Sequence, residues 1–252
     1  MNINKYLERI LYSDSLKVNV ETLYALHRKQ LNHIPFENFN IVNKKKVILD
    51  LKHLENKIIN NRRGGFCYEL NALFYELLKQ IGFDVKMIAA RVYNLAGDLG
   101  QEYDHMALIV QLDKTYLVDV GFGASFHEPL LLELETIQKD VNHYFKIAEY
   151  DEGYLCLYWS EDGVNFTKKY LFTLKERKLS DFESMCNYHQ SSPESIFTQK
   201  MICTKTTKNG RITLSDHKLI TTIGNTKHEK LIMDEDELNK ILEEKFDITL
   251  ST

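Results

Sequence analysis

The spacing of apolar residues changes part-way along the chain, and that change restricts the fold more than any other feature. In the first eighty residues apolar side chains recur at helical spacing. Ile3, Leu7, Ile10 and Leu11 form one stripe, Leu23, Leu26 and Leu31 a second, and Leu51, Leu54 and Ile58 a third with Asp50 as its N-cap. The strongest stripe is Leu70, Leu73, Phe74, Leu77, Leu78 and Ile81, and Gly82 follows it as a stop. Residues three and four apart share one helical face, so these stripes predict a small helical bundle.

From about Val85 to Phe172 the period is two. The segments VKMIAARVYN, HMALIVQL, TYLVDVGF, HYFKIAEY, GYLCLYWS and KKYLFTL are short and rich in β-branched and aromatic residues. Turn residues such as Asp113-Lys114 and Glu161-Asp162-Gly163 separate them. This pattern predicts an antiparallel sheet or small barrel. Beyond Ser180 a short helix starts at Ser180-Asp181, strand-like pieces follow (MICTKT, GRITLSD, HKLITTIG), and a helix from about Asp234 to Lys245 closes the chain. Its acidic start suits the helix dipole. The coarse order is therefore α, then β, then a smaller α/β tail.

Lys and Arg number 32 against 36 Asp and Glu, and the longest basic run is Lys44-Lys45-Lys46. A nucleic-acid partner would call for a basic excess, so none is expected. No stretch approaches the ~18 apolar residues of a membrane span, and the N-terminus lacks the apolar core of an export signal. The four cysteines, at 67, 156, 186 and 203, form no C-x-x-C pair. Free thiols and a cytoplasmic location are the expectation. No H-E-x-x-H or clustered Cys/His spacing is present, so no metal is expected, and the common nucleotide-binding glycine motifs are absent.

The segment RGGFCYELNALFYELL carries the first chemical signal. Gly64-Gly65 breaks structure and the strongest helix begins at once, so Cys67 falls in or beside the first helical turn. Unpaired N–H groups and the positive dipole end there favour a thiolate and predict a lowered thiol pKa. Adjacent glycines also let the backbone or a ligand approach closely. A cysteine nucleophile needs a base, and the base an orienting group. His105 opens the strand HMALIVQL, which puts it at a sheet end. Asp119 lies inside the apolar run LVDVGFG, where a carboxylate is costly to bury without a partner.

The two strands are sequential and should form a hairpin. A two-residue turn would put His105 and Asp119 on opposite faces; a three-residue turn or a bulge puts them on the same face. The expectation is the second form. His27, His33 and His53 fall in or beside helices and are expected to be without acidic or thiol company, and His127, His143, His189, His217 and His228 have polar surroundings.

These residues match a known pattern. The chain resembles the arylamine N-acetyltransferases through His33-Ile34-Pro35-Phe36-Glu37-Asn38, Arg63-Gly64-Gly65-Phe66-Cys67, His105-Met106-Ala107-Leu108, Val118-Asp119-Val120-Gly121-Phe122-Gly123 and the terminal FDITL. The resemblance implies an α+β fold in three domains, a helical bundle over 1–83, a β-barrel-like domain over 84–180 and an α/β lid over 181–252, and it implies a two-step reaction. Cys67 takes acetyl from acetyl-CoA, His105 activates the thiol, Asp119 orients His105, and the acetyl passes to an arylamine, arylhydrazine or N-hydroxyarylamine. It further implies that Phe36, Val92 and Phe122 line the aromatic amine pocket and that Asn71 supports the site by hydrogen bonding. Arg63 and Glu37 match positions that look structural. The segment NLAGDLGQEYD departs from the family pattern, and the chain stops soon after FDITL, which implies a more open pocket. Two other readings share the Cys, His, Asp order: an amide synthase of natural-product assembly, and a transglutaminase-like or papain-like hydrolase.

Overall fold

Three helices of the first third begin where a polar N-cap side chain satisfies free N–H groups of the first turn. Asn2 accepts from Lys5 N at 3.1 Å and Asn19 from Thr22 N at 3.0 Å. They cap the helices Ile3–Arg9 and Val20–His33. Asp50 accepts from the N–H groups of Lys52 and His53, as expected, but its helix, Leu51–Glu55, passes into a π-helical turn, Asn56–Asn60. The helix Cys67–Ile81 buries Leu70, Leu73, Phe74, Leu77 and Leu78. Each such side chain contributes about 1.5–3 kcal/mol. Gly82, at φ +109°, ends it.

The first stripe differs from expectation. Its helix stops at Arg9, and Leu11 sits at φ +54° and is 60% exposed. Ile10 is buried on this turn, and so is the charged Arg9. Its guanidinium donates to the carbonyls of Ile58, His33 and Arg62 and pairs with Asp247 at 3.3 Å.

The computed structural model describes residues 1–249 other than 125, 142, 152 and 225. Leu250 of the FDITL stretch and the end of the expected lid lie outside the described residues. The central segments form one eight-stranded antiparallel, barrel-like sheet. Its spatial order is Leu130–Leu131, Thr115–Val118, His105–Gln111, Asp84–Val92, Thr167–Phe172, Tyr154–Ser160, Tyr144–Asp151 and Gln138–Lys139. One face of its central strands packs on the helix Cys67–Ile81. The other encloses a second core of Ile88, Ile109, Leu117, Phe145, Leu157 and Tyr170.

A second antiparallel sheet joins Ile202–Thr207, Gly210–Ser215, Lys218–Ile223 and Thr226–Leu231. At its edge lies a strand from far upstream, Phe36–Glu37, paired with Thr204 and Cys203. The closing helix Glu235–Phe246 starts at Asp234, whose side chain accepts from Glu237 N at 2.8 Å. It buries Ile241, Leu242 and Phe246 against Phe39, Cys203 and Leu214. Among the described residues no helix is long and apolar enough to cross a membrane. All four cysteines are free and buried.

Candidate active site

The hairpin of His105–Gln111 and Thr115–Val118 pairs Leu108 with Val118 and Gln111 with Thr115. Three residues therefore connect the strands, and His105 and Asp119 lie on one face. His105 Nε2 is 2.7 Å from Asp119 Oδ2, with both side chains buried. Asp119 is not paid for by histidine alone. Its Oδ1 accepts from Asn71 Nδ2 at 3.0 Å and from Gly121 N at 2.9 Å, and the Tyr170 hydroxyl donates to Oδ2 at 3.4 Å. Burial by itself would raise the Asp119 pKa. The charge and hydrogen bond of His105, with the donors on Asn71 and Gly121, outweigh it and hold the carboxyl below its ordinary range.

Asn71 ties this network to the helix that begins with Cys67. It lies one turn further along, fully buried. Its amide donates to Met106 O at 2.7 Å as well as to Asp119, and its carbonyl oxygen accepts from Val120 N at 3.0 Å. The loop after Asp119 runs hard against the start of that helix. A Cβ on Gly121 would meet Asn71 Nδ2 at 2.6 Å and the Cα and O of Cys67 at 2.8 Å. The three candidate residues are thus brought to one place from three elements.

The Cys67 thiol does not have the lowered pKa expected of a helix N-terminus. Burial pushes it well above its ordinary value, and the nearby acids Asp104 and Asp119 add to the rise. Cys67 is only 3% exposed, so desolvation outweighs the dipole.

Gly64 and Gly65 serve backbone packing. Phe36 bridges to Gly65, and Glu37 N donates to Gly65 O at 2.9 Å. A Cβ on Gly64 would strike Pro35 O, and one on Gly65 would lie 2.8 Å from Glu69 Oε2. Glu69 in turn accepts from Phe66 N at 3.1 Å, capping the helix of Cys67. Below this turn lies a buried ionic cluster. Glu37 pairs with Arg63 at 2.9 Å, and Lys57 bridges Glu69 at 2.8 Å and Glu37 at 3.7 Å. A polar cleft of about 540 Å³ opens beside it, lined by Lys46, Lys57, Arg63 and Glu69 among others, and contains no member of the Cys67–His105–Asp119 group.

A family model described as N-acetyltransferase matches residues 19–252. The chain is 34% identical to arylamine N-acetyltransferase 1 of Homo sapiens, over 99% of this chain and 95% of that one. The chain belongs to the arylamine N-acetyltransferase family. Acetyl transfer is the family's chemistry. Among solved structures, the arylamine N-acetyltransferase of Salmonella typhimurium superposes with a TM-score of 0.93 at 25% identity, covering 99% of this chain and 92% of that one. The Mycobacterium marinum arylamine N-acetyltransferase in complex with CoA gives 0.90 at 25% identity, with 98% and 93% covered.

Of the other expected site residues, Phe122 stands on the loop after Asp119 and Phe36 lies against it. The Phe122 ring stands edge-on to His105 at 5.1 Å and packs on Tyr170 at 5.5 Å. Val92 packs on the same apolar cluster as Phe122. Phe36 lies across Gly123, at ordinary contact distance for a Cβ there. Sequence reasoning missed two residues. Tyr170, in an apolar strand, reaches Asp119. His27, in an ordinary amphipathic helix, is fully buried, with Nδ1 2.9 Å from His127 O and Nε2 3.2 Å from Asp119 O. Burial pushes its pKa down to about 4, against the opposing pull of the two carbonyls and of the Asp119 charge. His53 also has acidic company, an exposed pairing with its own cap Asp50 at 2.9 Å. Among the described residues no group of three or more His, Cys, Asp or Glu could hold a metal ion.

Proposed function

We propose that this protein carries acetyl from acetyl-CoA to an arylamine, arylhydrazine or N-hydroxyarylamine in two half-reactions, with Cys67 as nucleophile, His105 as base and Asp119 as its orienting group. Nε2 of His105 is committed to Asp119, which leaves Nδ1 to take the thiol proton. The sulfur attacks the thioester carbonyl, and the tetrahedral adduct expels the CoA thiolate, which the imidazolium protonates. An amine nitrogen then attacks acetyl-Cys67. His105 accepts the nitrogen's proton, and the Cys67 thiolate leaves and is reprotonated. Asp119 stays ionised throughout and stabilises each imidazolium.

One observation carries the reading: a buried His–Asp pair braced by Asn71, on a loop that touches the backbone of Cys67. Phe36, Val92 and Phe122 form the apolar wall for the aromatic acceptor. Coenzyme A is the donor carrier by likeness to the M. marinum relative, and four free buried thiols suit the reducing cytoplasm. The division into a bundle over 1–83, a barrel over 84–180 and a lid over 181–252 belongs to the same proposal, the strand Phe36–Glu37 joining the first to the third.

Intact-protein mass after mixing with acetyl-CoA alone tests it. An acetyl-sized gain is expected on the wild type and not on Cys67→Ala, and an arylamine should discharge it. A gain on both proteins would exclude Cys67 as the acetylated group, and no gain on either would exclude acetyl-CoA as donor.

A further inference from the structure

The chain between Asp119 and His127 carries two groups of the candidate site. Gly121 lies against the backbone of Cys67, and Phe122 stands edge-on to His105. Both ends of this loop meet one side chain from another element. His27, on the helix Val20–His33, sets Nδ1 2.9 Å from His127 O and Nε2 3.2 Å from Asp119 O. A single imidazole thus spans the neck of the loop.

The choice of partners is informative. Both are carbonyl oxygens, which only accept, so the ring faces two acceptors and no donor. A doubly protonated ring donates to both ends at once. A ring with one N–H holds one end and turns a lone pair to the other. The Asp119 and Asp140 carboxylates favour a charge on the ring, and its complete burial opposes one. A histidine that merely filled the core would not be aimed at two backbone acceptors eight residues apart.

The ring is also fixed with respect to the nucleophile. It lies parallel to Phe126 at 5.8 Å and edge-on to Phe74 at 6.3 Å, and Phe74 belongs to the helix that begins with Cys67. Other side chains tie the loop at single points. Asn71 accepts from Val120 N, Arg211 donates to Gly123 O, and Asp140 accepts from His127 N at 2.7 Å. Among the described residues His27 alone hydrogen-bonds to both ends, so it sets how far apart they stand.

We propose that His27 is a positioning residue for acetyl transfer, which closes the neck of the loop 119–127 and thereby holds Gly121 against Cys67 and Phe122 against His105. This rests on acetyl transfer at Cys67. His27 acts through the loop and touches neither substrate nor a reacting atom.

The test compares the wild type with His27→Leu, which removes both nitrogens, and His27→Gln, whose amide nitrogen carries two hydrogens and can serve two carbonyls without a charge. The rate of acetyl gain on Cys67 is followed by intact-protein mass with acetyl-CoA and no amine, and the KM for aniline is measured at steady state. Both are read well below the melting temperature of each variant. His27→Leu should acetylate about tenfold or more slower, the order of loss that a small displacement of reacting groups brings, and its KM for aniline should rise because Phe122 shifts. His27→Gln should stay within about threefold of the wild type. A lower melting temperature in His27→Leu with an unchanged rate would make His27 a stabilising residue only and overturns the proposal. So does a His27→Gln as slow as His27→Leu. If His27→Leu does not fold, a folded His27→Gln that has lost more than about tenfold in rate is enough to overturn it. No acetyl gain on the wild type would overturn the reading of the site itself, and this proposal with it.

Discussion

Replacing Asn71 by alanine removes three hydrogen bonds from a place that water does not reach. The side chain is fully buried, and its truncation strips Met106 O and Val120 N of their side-chain partner and Asp119 of one donor. A buried polar group left without a partner costs about 1–3 kcal/mol. Two such backbone groups, with a weakened carboxylate, put the expected loss at about 4 kcal/mol, a large share of the about 5–15 kcal/mol that holds a typical protein folded. Urea unfolding followed by circular dichroism reads this as a lower midpoint at unchanged slope. Gln80→Ala, on the exposed end of the same helix, should change stability by less than about 0.5 kcal/mol.

The same truncation should reach the reaction. Asp119 loses a charge-assisted bond worth about 1.5–3 kcal/mol, and if that loss is felt when His105 becomes charged, kcat/KM falls about ten- to a hundredfold. The reasoning is refuted if Asn71→Ala unfolds within about 1 kcal/mol of the wild type. In that case the three bonds would be replaceable and Asn71 would not brace the site.

Two further changes probe the packing around the site. Gly121→Ala places a methyl 2.6 Å from Asn71 Nδ2 and 2.8 Å from the backbone of Cys67. The loop must withdraw, at about 1–3 kcal/mol, and the rate of Cys67 acetylation should drop more than about tenfold; a fully active variant would contradict the close approach. Glu37→Gln leaves Arg63 without its buried partner and takes from Lys57 the more distant of its two carboxylates, and should cost about 3 kcal/mol at pH 7. Burial alone would raise the Glu37 pKa, but Lys57, Arg63 and the Phe39 N–H hold it below its ordinary value. Its stabilisation is therefore complete above the usual carboxylate range and is lost as the pH falls through the lowered pKa, where the gap between wild type and Glu37→Gln should close. Glu69 has the opposite sign, because burial outweighs Lys57 and raises its pKa, so its share of stability declines as the pH rises past the usual carboxylate range. Melting temperatures of the wild type and Glu37→Gln across pH 3–7 measure the closing gap.

What could be read from sequence was whatever a local rule determines. The period of Leu70, Leu73, Phe74, Leu77 and Leu78 makes a helix wherever the chain places it, and the alternation of the six central segments makes strands. Asp119 stood out because a carboxylate in an apolar run needs a partner, and a three-residue connection put His105 on its face. The features that escaped depend on partners far along the chain. Phe36 and Glu37 are too few to show a period and become a strand only beside Cys203 and Thr204. Thr226–Leu231 is exposed along its whole length, so no apolar alternation marks it. Leu11 continues a helical stripe by spacing, yet Arg9 satisfies carbonyls from three other segments and the helix ends there.

The same distinction separates the residues of the site. Cys67 after its glycine pair and Asp119 in its apolar run are unusual for their own segments, and His105 follows from them as the base a cysteine needs. His27 and Tyr170 are ordinary for theirs. His27 is one polar residue in an amphipathic helix, and Tyr170 is one aromatic in a strand. What makes them matter is a distance to another element: His27 Nε2 to the Asp119 carbonyl, and the Tyr170 hydroxyl to its carboxylate. Reacting groups must be chemically distinctive to react, whereas the groups that hold them need only be in the right place. A sequence therefore reveals the first kind residue by residue and the second only after the chain has folded.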